Sequence, residues 1–220
     1  MKDNQCISRL LASSMHEMRN ILAIIRESAG LAQDVSQLDN DKAVSGKEHD
    51  MLLSSLRGVQ QAVVAASDLT GAMDYMAQQG CQEGNPACDL GRVCQGFCLM
   101  ASRYARGLRI GLATGEAQGP VWAEVPVMAF YCGLLAVLDL CASVGGQVDL
   151  CLTAAHRDKQ PGITVRLAGG SNLPLALAAL TGNPLPDAPA TGWKATLAPC
   201  HDMQADNSAG QEFFLSVTRN

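Results

Sequence analysis

Two long stretches of helical periodicity constrain the fold of this 220-residue chain most strongly. Residues 7–38 contain no proline, and apolar side chains recur there every three or four positions, as along one face of an α-helix. After a polar break at residues 39–46 the same spacing returns and continues to about Gln79. The two apolar series are Ile7, Leu11, Met15, Met18, Leu22, Ile25, Ala29 and Ala32, then Leu52, Leu56, Val59, Val63, Ala66 and Met73.

These two stretches predict a long antiparallel helical hairpin. At about 1.5 Å per residue, each helix would be on the order of 45–50 Å long. The apolar spacing resembles a coiled-coil seam, and helices of this length cannot both bury their seams within one hairpin. We therefore expect a second copy of the chain to cover the seam, which would give a four-helix bundle in a homodimer.

The chain changes character after the second helix. Residues 80–86 are polar and rich in turn formers, so we divide the chain into a hairpin at 1–80, a linker at 81–88 and a second unit at 89–220. Asp89 is suited to cap a helix, and helical and alternating patterns are mixed from there on. The second unit is predicted to contain helices at 89–106, 127–144 and 173–180, and strands at 108–113, 121–124, 147–154, 162–167, 193–197 and 212–218. The predicted class is α+β, with a helix-over-sheet sandwich after the hairpin.

Composition excludes several classes of function. The 16 Lys and Arg residues against 21 Asp and Glu residues, without a basic run, provide no surface for nucleic acid or an anionic membrane. No uninterrupted apolar segment approaches the roughly 18 residues of a membrane span, and the N-terminus lacks a signal-peptide core, so we expect a cytoplasmic protein. The nine cysteines are scattered among apolar residues without a Cys-x-x-Cys pair, which favours buried small hydrophobes over zinc or disulfides. Trp122 and Trp193 are expected to be partly buried in the second unit.

His16 is the candidate reactive residue. At 100° per residue it lies roughly 160° from Met18, whereas neighbouring seam residues lie within about 40° of Met18. Its ring is therefore predicted to face outward, on the same outer stripe as Asn20 and Glu27. An exposed histidine is usually an ordinary surface residue. However, the adjacent Glu17 could hydrogen-bond a ring nitrogen or accept a proton, and Asn20 could orient a water, which favours a phosphoacceptor.

Residues 14–22, which read Ser-Met-His-Glu-Met-Arg-Asn-Ile-Leu, resemble the phosphoacceptor box of sensor histidine kinases. That box reads His-Glu-x-x-Thr/Asn and often continues Pro-Leu; here Ile21 stands at the usual proline position. The resemblance extends over nearly the full chain, because a second helix, a linker and a unit similar in outline to the kinase ATP-binding domain follow in the same order. It implies that His16 is phosphorylated, that Glu17 is its acid/base partner and that Asn20 serves in receiver dephosphorylation.

The second unit departs from that family at its nucleotide-binding motifs. The family holds Mg-ATP with a motif like Asn-Leu-Leu-Asp-Asn-Ala, and the aligned residues 136–141 replace both asparagines, by Ala136 and Leu140. Neither side chain offers the hard oxygen ligand that Mg²⁺ requires. The adenine-reading Asp-x-Gly-x-Gly motif aligns with residues 167–171, where Leu167 replaces the aspartate, and the mobile lid has no counterpart. We therefore expect no ATP binding and no cofactor of its own.

The resemblance thus narrows to histidine phosphotransferases of the ChpT type, which are dimers with a kinase-like hairpin and a degenerate ATPase domain. It implies that His16 relays a phosphoryl group between aspartates of response-regulator receiver domains, with Mg²⁺ supplied by the receiver. The candidate receiver-docking residues are Arg19, Ile21, Ile24 and Glu27; for the two isoleucines, packing inside the bundle is an equal alternative. Two other functions stay open, a non-catalytic dimeric regulator that docks on a receiver or kinase and a divergent sensor histidine kinase. Phosphatase activity through Asn20 is compatible with transfer.

Overall fold

The structure is a computed structural model, and it describes residues 3–38, 46–81, 87–143, 147–168, 180, 185, 193–200 and 211–219. The helices are α1 (Asp3–Leu38), α2 (Gly46–Cys81), α3 (Leu90–Gly107) and α4 (Val127–Ser143). The strands are β1 (Cys88–Asp89), β2 (Ile110–Thr114), β3 (Trp122–Ala123), β4 (Val148–Arg157), β5 (Gln160–Ala168), β6 (Trp193–Pro199) and β7 (Gln211–Arg219). This order confirms the predicted α+β class. The predicted helix at 173–180 lies outside the described residues except for Leu180, and so does most of the segment assigned to the missing lid.

The main sheet has the strand order β2-β4-β5-β7-β6. Strand β2 runs parallel to β4, and the other neighbours are antiparallel. Asp158 and Lys159 join β4 to β5 with φ angles of 50° and 66°, the left-handed pair that a tight two-residue hairpin turn requires. The turn sets the register that pairs Leu152 with Val165, so both apolar side chains enter the core.

Two helices connect this sheet to the hairpin. The Asp89 carboxylate accepts a hydrogen bond from the Gly91 backbone N–H at 2.9 Å, which confirms the predicted start of α3. Helix α4 is apolar all round, and residues 129–138 are all buried. All faces of α4 can be apolar because the helix packs against β6 and β7 as well as against α1, α2 and α3.

The hairpin and the second unit share one hydrophobic core. Leu10 of α1 and Leu69 of α2 belong to the same buried cluster as Phe97 of α3 and Phe130 of α4. The predicted division at 81–88 falls between α2 and β1, and the assignment of two domains stays a prediction.

The stripe that the hairpin buries differs from the predicted seam. In α1 the buried residues include Cys6, Leu10 and Ile21, which lie about 90° around the helix from the seam. The seam residues Leu22 of α1 and Val63 of α2 are 56% and 52% exposed. Other seam residues, namely Met18, Ile25, Ala66 and Met73, pack partly against the core. A single chain therefore leaves only part of the seam exposed, and the homodimer stays a prediction.

Two further sequence expectations meet the structure with different outcomes. Trp122 is 57% exposed, so the expectation that it is partly buried in the core was wrong. The reason is the pairing of β3 with β1, in which the alternate residue Ala123 faces the core; the Trp193 side chain lies outside the description. Five cysteines are buried as predicted, namely Cys6, Cys88, Cys94, Cys132 and Cys141.

Within the described residues, none of the helices has the length and apolar character needed to cross a membrane.

Candidate functional site

His16 is exposed on α1, which confirms the direction predicted for its ring. It shares a stripe with residues one and two turns earlier, and this stripe lies against the C-terminal end of α3. Together the two helices line a cavity of about 360 Å³. Its lining residues are Arg9, Ala12, Ser13, His16, Arg103, Tyr104, Gly107 and Leu108.

A polar network fixes α3 against α1 beside this cavity. The Tyr104 backbone N–H donates to Ser13 Oγ at 3.3 Å, and the Tyr104 hydroxyl donates to the Asp139 carboxylate of α4. Arg9 Nη1 lies 2.6 Å from Asp139 Oδ2, and the guanidinium lies 5.7 Å from the centroid of the Tyr104 ring. Because Ser13 precedes His16 by about one helical turn, the network positions α3 next to the histidine.

The electrostatics of the network favour its persistence at neutral pH. Burial raises the pKa of Tyr104 to about 12, and the hydrogen bond to Asp139 adds to the effect, so the hydroxyl stays a donor. The hydrogen bond to Asp139 also raises the pKa of Arg9. The pairing of Arg9 and Tyr104 with one carboxylate is therefore insensitive to pH in the physiological range.

Glu17 faces a different neighbour from His16. Its carboxylate lies 2.5 Å from Arg106 Nη2, in the last turn of α3. Adjacent helix residues point about 100° apart, and among the described residues no hydrogen bond reaches the His16 ring. In this conformation the Glu17 carboxylate pairs with Arg106. Its role as the acid/base partner of His16 stays a prediction.

The predicted docking residues divide between a second cavity and open surface. A cleft of about 850 Å³ lies between the hairpin and α3 with β2, and Glu17, Ile21 and Ile24 are among its lining residues. Ile21 is only 6% exposed and packs mainly inside the protein, whereas Ile24 is 49% exposed. The other predicted site residues, Arg19, Asn20 and Glu27, are exposed on α1 and line neither cavity.

The arginines Arg9, Arg103 and Arg106 were not among the site residues predicted from the sequence. Arg9 could have been found, because it precedes His16 by seven residues and so lies on the same helix stripe. Arg103 and Arg106 could not, since their approach to α1 depends on how α3 packs on the hairpin. Of the three, Arg9 and Arg103 line the cavity with His16, and Arg9 and Arg106 are each paired with a carboxylate.

The residues aligned with the kinase nucleotide motifs lie in or near the core. Ala136 and Leu167 are buried, and Leu140 is half-buried. Asp139, the one polar residue of the segment 136–141, binds Arg9 and Tyr104 instead. The glycine pairs at 145–146 and 169–170 lie outside the described residues, and the expected loss of ATP binding stays a prediction.

No protein-family model matches this sequence, and no curated protein is significantly similar to it. Solved structures with a similar fold include Acinetobacter baumannii histidine kinase AdeS, at 11% identity and a TM-score of 0.37 over 93% of this chain and 98% of that chain. A bacterial phosphotransferase is similar at 16% identity and a TM-score of 0.38, over 97% of this chain and 96% of that chain. Histidine kinase ThkA in complex with response regulator protein TrrA matches 99% of this chain and 64% of that chain, at 13% identity and a TM-score of 0.37. These likenesses concern the fold alone, and such TM-scores carry no inference about activity.

Proposed function

We propose that this protein is a histidine phosphotransferase of two-component signalling. A neutral His16 ring nitrogen attacks the phosphorus of a receiver's aspartyl phosphate; the N–P bond forms as the acyl phosphate P–O bond breaks, and the aspartate leaves as a carboxylate. The reverse step, on the aspartate of a second receiver, regenerates His16. The observation that carries this proposal is the exposed His16 ring in a cavity that also contains Arg9 and Arg103.

The surroundings of His16 suit such a transfer. Phosphoryl transfer depends on positioning and on neutralising the negative charge of the phosphoryl oxygens, more than on covalent help from the protein. Here α1 and α3 are fixed to each other beside His16, and Arg9 and Arg103 line the same cavity as the ring. Mg²⁺ would come with the receiver, and this chain would need no nucleotide of its own.

A receiver domain is the proposed partner on the α1 surface next to His16. Ile24 supplies an exposed apolar contact at the 850 Å³ cleft, with Ile21 forming part of the wall behind it. Arg19, Asn20 and Glu27 supply exposed polar groups on the same helix, and Asn20 is also suited to orient a water towards a bound receiver. We expect Ile24→Glu to weaken receiver binding while leaving the fold intact.

A homodimer is part of the same proposal. The exposed seam of Leu11, Met15 and Leu22 on α1 and of Leu56 and Val63 on α2 forms an apolar surface on the hairpin. Soluble proteins rarely leave such contiguous apolar surface unpaired. A second copy supplies the same two helices and completes a four-helix bundle.

The test is transfer from phosphorylated receivers. The protein is mixed with a panel of ³²P-labelled phospho-receivers, and we expect acid-labile label on the wild type and none on His16→Gln. His156→Gln is the matched control, because His156 is also exposed but lies on β4. Label retained by His16→Gln would refute the assignment.

A non-catalytic dimeric regulator is the second candidate, and the Glu17 ion pair with Arg106 favours it, because that pair occupies the carboxylate next to His16. Such a regulator would bind a receiver or kinase equally well after His16→Ala, whereas a phosphotransferase would lose its output. Binding of Mg-ATP in calorimetry would instead support a divergent kinase.

A further inference from the structure

We infer that Arg103 is a catalytic residue of this transfer, whose guanidinium binds the phosphoryl group while it is on His16. The inference rests on the proposed function and assigns the cation that the reaction needs. Arg103 and His16 face the same cavity from two helices, α3 and α1. The cavity of about 360 Å³ has ample room for a phosphoryl group, since a water molecule takes only about 30 Å³.

Two arginines, Arg9 and Arg103, line the cavity with His16, and a third, Arg106, follows Arg103 in the last turn of α3. Arg9 pairs with Asp139 and stacks on Tyr104. Arg106 pairs with Glu17 and lines the other cavity. Among the described residues Arg103 has neither an ion-pair nor a hydrogen-bond partner, so its donors are available to a ligand.

The charge around the cavity also selects Arg103. The two carboxylates that meet these arginines, those of Asp139 and Glu17, are each neutralised by an ion pair. The charge left uncompensated is therefore the guanidinium of Arg103, exposed at the cavity. A guanidinium binds phosphate oxygens through two parallel N–H donors, which gives it both charge and orientation.

The backbone of Arg103 is held in position. Its neighbour Tyr104 is bonded through its N–H to Ser13 and through its hydroxyl to Asp139, so this turn of α3 is tied to both α1 and α4. The guanidinium thus starts from a fixed base, which reduces the reorganisation needed when a phosphoryl group arrives. During transfer the Arg103 guanidinium donates hydrogen bonds to the equatorial phosphoryl oxygens, while the N–P bond forms and the acyl phosphate P–O bond breaks.

The experiment compares Arg103→Gln, Arg103→Lys and the control Arg166→Gln, since Arg166 is exposed on β5. Each variant is phosphorylated by a ³²P-labelled receiver and, separately, by phosphoramidate, a small donor that needs no receiver. We expect Arg103→Gln to slow labelling of His16 on the order of 10²-fold with both donors, the typical effect of removing one charge-stabilising donor. Arg103→Lys should recover part of the rate, and Arg166→Gln should match the wild type.

A second readout follows the phosphoryl group directly. In ³¹P NMR of the phosphorylated protein, we expect the phosphoryl titration midpoint to move to higher pH in Arg103→Gln, because a neighbouring cation stabilises the dianion. Equal rates and equal titrations in Arg103→Gln and wild type would overturn the inference and leave the proposed function standing. A defect with the receiver alone would mean that Arg103 contacts the receiver, which also overturns it. If the wild type accepts no phosphoryl group from either donor, the proposed function fails and the inference with it.

Discussion

Asp139 illustrates how one residue can be recruited for a structural purpose. In the alignment with the kinase motif it is the single polar residue that remains, and here its carboxylate joins Arg9 of α1 and Tyr104 of α3 to α4. Helices α1, α3 and α4 therefore meet at this side chain. Removing this carboxylate should therefore lower the free energy of unfolding of the whole protein.

We predict that Asp139→Asn lowers the free energy of unfolding by about 1–2 kcal/mol, because two donors lose a charged acceptor at a half-buried site. Urea denaturation measures the change. Asp34→Asn serves as the control, since Asp34 is exposed on α1, and we expect it to stay within about 0.5 kcal/mol of wild type. Equal losses in the two variants would contradict a structural role for the network.

Because of Tyr104, part of the free energy of unfolding varies with pH in the alkaline range. Its pKa rises from 10.0 in the unfolded chain to about 12 in the folded protein, chiefly through burial. The folded state thus holds this proton more tightly, and the associated stability is complete below pH 10 and is lost as the pH rises towards 12. In Tyr104→Phe the decline of unfolding free energy over that interval should be shallower than in wild type.

Buried cysteines contribute to the same decline, since burial raises the pKa of Cys88 to about 11 and that of Cys141 to about 12. They are unchanged in Tyr104→Phe, so the difference between the two proteins isolates the tyrosine. Parallel stability curves from urea titrations would contradict the assignment.

At the scale of elements, the sequence predicted helices and strands well because their periodicities are uninterrupted. The direction of His16 also followed from the helix period alone. The sequence did not predict which face of α1 packs on α3. The stripe through Leu10 and Ile21 and the seam through Leu22 are both apolar, so either could have been the buried face. For the same reason Arg103, which lies 87 positions after His16 in the sequence, had no local signal linking it to His16.

Gly96 of α3 lies where helix α4 leaves little room for a side chain. A Cβ at Gly96 would lie 2.9 Å from the Tyr131 hydroxyl oxygen and 3.5 Å from the Ala72 Cβ. We predict that Gly96→Ala destabilises by about 1–3 kcal/mol despite the better helix propensity of alanine. Gly30→Ala, where nothing lies within 4 Å, should instead stabilise α1 by about 1 kcal/mol.

A double variant tests the cause of that destabilisation. Within the described residues the Tyr131 hydroxyl is buried without a hydrogen-bond partner, so Tyr131→Phe should cost little stability by itself. It should also remove most of the penalty of Gly96→Ala, because the nearest atom is gone. If the double variant instead loses as much unfolding free energy as the two single variants lose in sum, the clash does not involve the Tyr131 hydroxyl.

At the scale of the molecule, the hairpin and the second unit are joined by a common core and by specific contacts. The Asp89 backbone N–H donates to the Tyr75 hydroxyl at 3.1 Å, and the ion pair of Glu17 with Arg106 links α1 to the end of α3. These contacts fix the orientation of the two parts relative to each other. The exposed part of the seam includes Leu22 of α1 and Val63 of α2.

We predict that the protein is a dimer in sedimentation equilibrium and that Leu22→Glu makes it monomeric, because the new charge would lie in the seam. Leu31→Glu is the matched control, since Leu31 is also exposed on α1 but points roughly 180° away from Leu22. A monomeric wild type, or equal effects of both variants, would contradict the proposed four-helix bundle.

The shared core also bears on how this chain can be divided or recombined. A fragment containing α1 and α2 alone would expose the side chains of Leu10, Leu69 and Met76 to water, and it would lack Arg103 of α3, which lines the cavity with His16. The hairpin therefore cannot be exchanged as an independent unit. A chimera that fuses it to a foreign domain should aggregate unless the surface of α3 that covers the hairpin is included.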